Sequence, residues 1–62
     1  MPVITIETTP LTGEQKEQLI TGFTKVASEV TGLPASTIIV VIHEPPADNF
    51  GVGGAQLSKM QH

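Results

Sequence analysis

Ile38-Ile39-Val40-Val41-Ile42 is a run of five β-branched aliphatic residues, and no other feature of the chain constrains its fold as much. A strand buried on one face alternates apolar and polar residues, whereas a strand buried on both faces does not. The run therefore predicts a strand over residues 38–42 that is covered on two sides. The chain is 62 residues long, a single domain of residues 1–62, and its pattern offers one helix. One helix covers one face, so the other cover must come from another chain. A domain of this size buries only about 60% of the surface that its unfolded chain exposes. Scaffolds this small rely on disulfides, a metal or partner chains. The chain has no cysteine, which removes disulfides and thiolate metal sites. Its two histidines, His43 and His62, lack the short spacing of a zinc motif. Oligomerisation remains, and a closed homo-oligomer is expected, with Val40 or its neighbours packed against other protomers.

The rest of the chain supplies the elements around that strand. Val3–Glu7 alternates Ile4 and Ile6 with Thr5 and Glu7, a period of two that predicts a first strand. Thr8, Thr9 and Pro10 end it. Thr12-Gly13-Glu14-Gln15 reads as a capping box, with the Thr12 hydroxyl accepting from the Gln15 amide and the Gln15 side chain reaching back. Glu14 and Glu17 are expected in the first turn, where the helix dipole favours negative charge. Leu19, Ile20, Phe23, Val26, Ala27 and Val30 then form one apolar helical stripe, expected to be the core face. Gly22 interrupts the helix at a cost of about 1 kcal/mol relative to alanine, which suggests close packing there. Gly32 is a C-cap candidate, and Pro34 prevents continuation. Two strands joined by a helix make a parallel pair with a right-handed crossover. After Pro45 and Pro46, Phe50-Gly51-Val52-Gly53-Gly54 suits a tight hairpin. It lacks the strand–helix order of a phosphate loop. The fold class is thus α/β (α+β): a β-α-β protomer with a parallel strand pair and a short C-terminal hairpin.

Charge excludes several functions. The net charge is −3, with three lysines and no arginine. Binding nucleic acid needs a basic stripe to neutralise phosphates, and there is none. No apolar run approaches the roughly 20 residues that span a bilayer, and Pro2 leads directly into a strand rather than a leader peptide. A cytoplasmic protein that binds neither nucleic acid nor membrane is expected. Charged residues are only 15% of the chain, in keeping with a surface partly hidden against other copies.

Several of these residues together resemble the 4-oxalocrotonate tautomerase family. They are Met1-Pro2 leading straight into a strand, Glu14-Gln15-Lys16 with Leu19-Ile20 opening the helix, and Pro34 before the second strand. Ile42 and Glu44 at that strand's end and Asn49-Phe50-Gly51-Val52-Gly53-Gly54 in the tail complete the set. The resemblance covers nearly the whole chain. It implies a β-α-β protomer assembled as a hexamer, and cofactor-free proton transfer that interconverts small enol and keto acids of the 2-hydroxymuconate type. It implies an N-terminal proline base, matching Pro2, and an apolar wall residue, matching Phe50. It also implies two substrate-holding arginines from neighbouring subunits. Their positions fall near Leu11 and at Ile39, and neither is basic. The proton-transfer half of the machinery carries over; the carboxylate-holding half does not.

The chemistry of Pro2 fits that role once Met1 is removed. The product is a secondary amine, and an α-amino group titrates near 7.7–8.0. An apolar pocket disfavours the ammonium and lowers that value, giving a base poised near neutral pH. The ring fixes φ, so the strand aims the nitrogen. Phe50, set between Asn49 and Gly51, is a large apolar side chain in a loop and a candidate to desolvate the amine. Lys16, His43 and Lys59 are candidates to hold a substrate carboxylate, though lysine lacks the bidentate fork of arginine. Backbone amides near Leu33 and Gly51 are further candidates to polarise the carbonyl. His43 and Glu44 lack a third ligand at strand or helical spacing, so no metal site is expected. Two other functions stay open: a catalytically weak oligomeric scaffold of the same fold, and a dehalogenase or hydratase of unsaturated acids. The latter needs a water-activating carboxylate where the tail carries Val52.

Overall fold

The computed structural model describes residues 1–60; His62 lies outside them. The chain runs through strand β1 (Val3–Glu7), helix α1 (Gly13–Thr31), strand β2 (Ile39–His43) and a hairpin of β3 (Gly51–Val52) and β4 (Ala55–Gln56). Single 3-10 turns occupy Ala35–Thr37, Ala47–Asn49 and Leu57–Lys59. β1 and β2 pair in parallel, with Val3 opposite Ile39 and Glu7 opposite His43. The sequence reading of a β-α-β protomer with a short hairpin holds.

The second strand starts one residue later than its apolar run suggests. The Ile38 amide donates to Ala35 O at 3.1 Å, closing the 3-10 turn, and the ladder begins with the Ile39 amide donating to Pro2 O at 3.0 Å. Ile38 is the one described hydrophobic residue that the protomer itself buries, at 9% exposure.

The start of α1 is capped as its sequence dictates. The Thr12 Oγ1 accepts from the Gln15 amide at 3.1 Å, and the Gln15 Oε1 accepts from the Thr12 amide at 3.0 Å. Glu14 lies in the first turn; Glu17, expected with it, falls one turn later because the helix begins only at Gly13. Gly32 ends the helix at φ 75° and donates to Ser28 O at 3.0 Å. That left-handed conformation suits a residue without Cβ. Gly22 is not explained by packing in the protomer, since a Cβ there would meet nothing within 4 Å.

The apolar stripe of α1 is wider than the surface available to cover it. Leu19, Phe23 and Ala27, one ridge at i, i+4 and i+8, are half-buried. Ile20, Val26 and Val30 are exposed, Val30 by 80%. Two five-residue strands are narrower than a 19-residue helix, so the stripe, expected to be one core face, overhangs the sheet.

The sheet also has an uncovered side. Side chains alternate along a strand and paired residues share a face. Ile4 and Ile6 therefore lie with Val40 and Ile42, and all four are half-buried. Val3 and Ile39 lie on the opposite side with Thr5 and Val41, and they stay 56% and 38% exposed. Of the central residues of the run, Val41 and Ile39 rather than Val40 face outward. The protomer exposes 4515 Å², whereas a compact protein of this mass exposes about 3800 Å². The excess approaches the roughly 800 Å² that one partner buries in a standard interface. The radius of gyration is 14.7 Å, against about 10.6 Å for a compact chain of this length.

Candidate functional site

Pro2 sits at the head of β1, where its carbonyl accepts from the Ile39 amide at 3.0 Å. This bond fixes Pro2 beside the start of β2. Pro2 itself is half-buried. Its neighbours along and across the ladder are aliphatic: Val3 follows it on the strand, and Ile39 lies opposite Val3, next after buried Ile38. Met1 is 87% exposed and so open to removal. While it is attached, the Pro2 nitrogen is an amide with no usable lone pair.

Leu11 lies at the other end of the sheet. Its amide donates to Glu44 Oε2 at 2.9 Å, and Lys16 Nζ lies 2.7 Å from Glu44 Oε1. Glu44 follows directly on β2, so one carboxylate ties the strand's end to the loop before α1 and to the second turn of the helix. The Lys16 hydrogen bond and then the Leu11 amide hold the Glu44 carboxyl below its ordinary range. Sequence reading placed Lys16 among possible substrate cations; here it is already engaged. The sequence marks Glu44 as a strand-end residue and, with His43, as an incomplete metal pair; its role as a clamp has no local signal, because its partners lie 28 and 33 positions away.

Phe50 belongs to a third group, knit within itself. Its amide donates to Ala47 O at 3.2 Å, and its carbonyl accepts from the Leu57 amide at 2.8 Å. Asp48 accepts from the Ser58 hydroxyl through its carboxylate and from Gln56 Nε2 through its carbonyl. The hairpin turn is Gly53-Gly54, with φ 61° and 88°, a mirror-image turn that matches strand twist. Phe50 is half-buried within this unit.

One protomer thus brings Pro2 and Ile39 together but separates them from Leu11 and from the segment that carries Phe50. Pro2 is beside the first residue of β2, and the tail departs after the last. Five strand residues span about 16 Å. Two open grooves along the outward side of α1, one bounded by Ile20, Thr24, Ser28 and Ala35 and one by Glu14, Gln18 and Gly22, hold none of the four predicted site residues. His43 is turned to Glu7, with Nδ1 3.2 Å from Glu7 Oε1. Among the described residues, no three His, Asp or Glu side chains gather as a metal cage, and no helix is long and apolar enough to cross a membrane.

Comparison with known proteins places this geometry. The family model described as tautomerase enzyme matches residues 2–60. Probable tautomerase K2 of Dickeya dadantii is 38% identical over 61 residues, covering 95% of this chain and 91% of the relative. The 2-hydroxymuconate tautomerase of Comamonas testosteroni is 32% identical over 47 residues, covering 76% of this chain and 75% of the relative. The crystal structure of YwhB, a homologue of 4-oxalocrotonate tautomerase, superposes with a TM-score of 0.89 at 34% identity, covering 97% of this chain and 100% of that one.

Proposed function

The chain belongs to the tautomerase family, and on that premise we propose that it is a cofactor-free keto–enol tautomerase of small unsaturated or 2-oxo acids, with the Pro2 nitrogen as general base. The observation that carries the proposal is the fixed position of Pro2. The bond from the Ile39 amide to its carbonyl pins the residue at the strand head, among aliphatic neighbours. Once Met1 is removed, the free secondary amine takes the proton of an enol hydroxyl or of a carbon next to a carbonyl. It returns that proton at the other end of the conjugated system, so atoms and charge balance without a co-reactant. Apolar surroundings disfavour the ammonium and keep the amine basic but largely unprotonated near neutral pH. The relative named 2-hydroxymuconate tautomerase supports an enol acid as the substrate class.

The working unit is a closed homo-oligomer, a hexamer, in the cytoplasm. The uncovered face of Val3, Ile39 and Val41 supports assembly, as does the excess of exposed surface. A two-fold pairing presents the same surface of each copy to the other. An antiparallel pairing of this kind sets the Pro2 end of one protomer beside the Leu11 and Phe50 end of its partner. Phe50 then serves as an apolar wall for a proline that is not its own, and Leu11 and Ile39 line the substrate space without supplying charge. The test is Pro2→Ala in processed protein. Turnover of an enol acid falls while the oligomer and its circular dichroism persist, since Pro2 donates no hydrogen bond that the fold would lose. Unchanged turnover would remove Pro2 from the mechanism.

A further inference from the structure

The chain must hold its substrate with very few cations, and the structure engages or turns away most of them. Among the described residues, the side chains able to carry positive charge are Lys16, Lys25, His43 and Lys59. Lys16 is clamped by Glu44 at 2.7 Å, on a carboxylate that also accepts from the Leu11 amide. His43 faces Glu7 at 3.2 Å. Lys25 lines the outward groove of α1 together with Glu29, on the side of the helix opposite Leu19 and Phe23. Lys59 makes no ion pair among the described residues, and it is exposed in the last 3-10 turn.

Lys59 is also tied to Phe50. The Leu57 amide donates to Phe50 O at 2.8 Å, the Met60 amide donates to Leu57 O at 2.9 Å, and the Ser58 hydroxyl bonds to Asp48. The turn that bears Lys59 therefore travels with the loop that bears Phe50. Wherever Phe50 is placed against a proline in the assembly, Lys59 arrives on the same rigid unit.

We propose that Lys59 of a neighbouring copy holds the single carboxylate of an enol monoacid at the Pro2 site, with the apolar body of the substrate against Ile39. The inference rests on the reading of Pro2 as the base and adds the substrate's charge to it. An ammonium is a point charge without the fork that grips a carboxylate in two places. One such group offsets one carboxylate. A second carboxylate would meet Val3 and Ile39 and lose its hydration with no cation in return. Each protomer also carries a net charge of −3, which further disfavours a dianion. The enzyme therefore selects an enol bearing one carboxylate and an apolar substituent over a dicarboxylate such as 2-hydroxymuconate.

The experiment uses processed, assembled protein and three probes: a phenyl-substituted enolpyruvate, its methyl ester, and 2-hydroxymuconate. The monoacid is expected to show the highest kcat/KM. Lys59→Gln should raise its KM by roughly tenfold, the scale of one hydrogen bond to a charged group, with kcat little changed. Lys59→Arg should restore KM, and both variants should turn over the ester as the wild type does. If Lys59→Gln loosens the assembly, the wild-type preference for the acid over its ester reads the same interaction without a substitution. An unaltered monoacid KM in assembled Lys59→Gln overturns the proposal. So does a higher kcat/KM for the dicarboxylate, or a loss that appears in His62→Gln instead. The ester separates the two levels: processed protein that leaves it at the buffer rate overturns the Pro2 reading beneath, whereas normal ester turnover with an unaltered monoacid KM overturns Lys59 alone.

Discussion

Replacing Val3 tests whether the uncovered side of the sheet is an interface. Val3 is 56% exposed in the protomer and pairs with Ile39, itself 38% exposed. Thr5 and Val41 continue the same face, and the Glu7–His43 pair closes it. If this face meets water, Val3→Thr and Val3→Asp each change stability by no more than about 0.5 kcal/mol. If it meets another copy, the costs differ in a predictable order. A hydroxyl left without a partner in an apolar interface costs about 1–3 kcal/mol, and a carboxylate left there without a cation costs about 3–5 kcal/mol. At about 1.4 kcal/mol per tenfold, the aspartate weakens association by two decades or more per contact. The residues within reach on this face offer one imidazole, already turned to Glu7, so no compensating cation is at hand. Sedimentation velocity at micromolar concentration reads the result, with circular dichroism reporting the secondary structure. Wild type should sediment as a closed oligomer, Val3→Thr should dissociate on dilution, and Val3→Asp should be dissociated or unfolded. A wild-type chain that is folded and monomeric at micromolar concentration would refute the reasoning, and so would a Val3→Asp protein that assembles and melts like wild type.

Two further substitutions probe the protomer. Glu44 has its carboxyl held below the ordinary glutamate range by Lys16 and the Leu11 amide, so its contribution to stability is complete above that range and is lost as pH falls through the lower, folded-state value. Glu44→Gln should therefore lower the melting temperature at pH 7 and do so less at pH 3; equal losses at both values would mean that the clamp does not titrate. Gly22 has open space where a Cβ would lie, so Gly22→Ala should stabilise α1 by about 1 kcal/mol through helix propensity. A fall in melting temperature there would show that a neighbouring copy approaches the helix backbone.

What the sequence made legible were the features with local causes. The alternation of Ile4 and Ile6 placed β1, and Thr12 with Gln15 and Gly32 marked both ends of α1, because caps depend on residues three or four apart. The unbroken run at 38–42 placed β2, though Ile38 was drawn into the preceding turn by its bond to Ala35. The width of the helical stripe misled, because periodicity counts apolar positions and not the breadth of the sheet that must cover them. Val26 and Val30 are legible as apolar, but what covers them is not. At the site, Pro2 and Ile39 become neighbours through a ladder bond that parallel pairing makes predictable. The clamp of Glu44 on Leu11 and Lys16 depends on a turn geometry 28 to 33 residues away. The tie between Phe50 and Lys59 likewise runs through Leu57, whose role follows from the hairpin's register and not from its own identity.

The central claim, that the Pro2 nitrogen is the base, is tested most directly by Met1. Two preparations of the same sequence are needed, one fully processed to Pro2 and one with Met1 retained, each verified by intact mass and matched for oligomeric state. Met1 is 87% exposed, so its retention leaves the protomer fold undisturbed, while it converts the secondary amine to an amide and crowds the head of β1. Turnover of an enol acid should then be near the buffer rate for the retained form, with Pro2→Ala between it and the processed protein. Equal turnover by the Met1-retained and processed proteins would contradict the account, since an amide nitrogen at Pro2 cannot accept the proton.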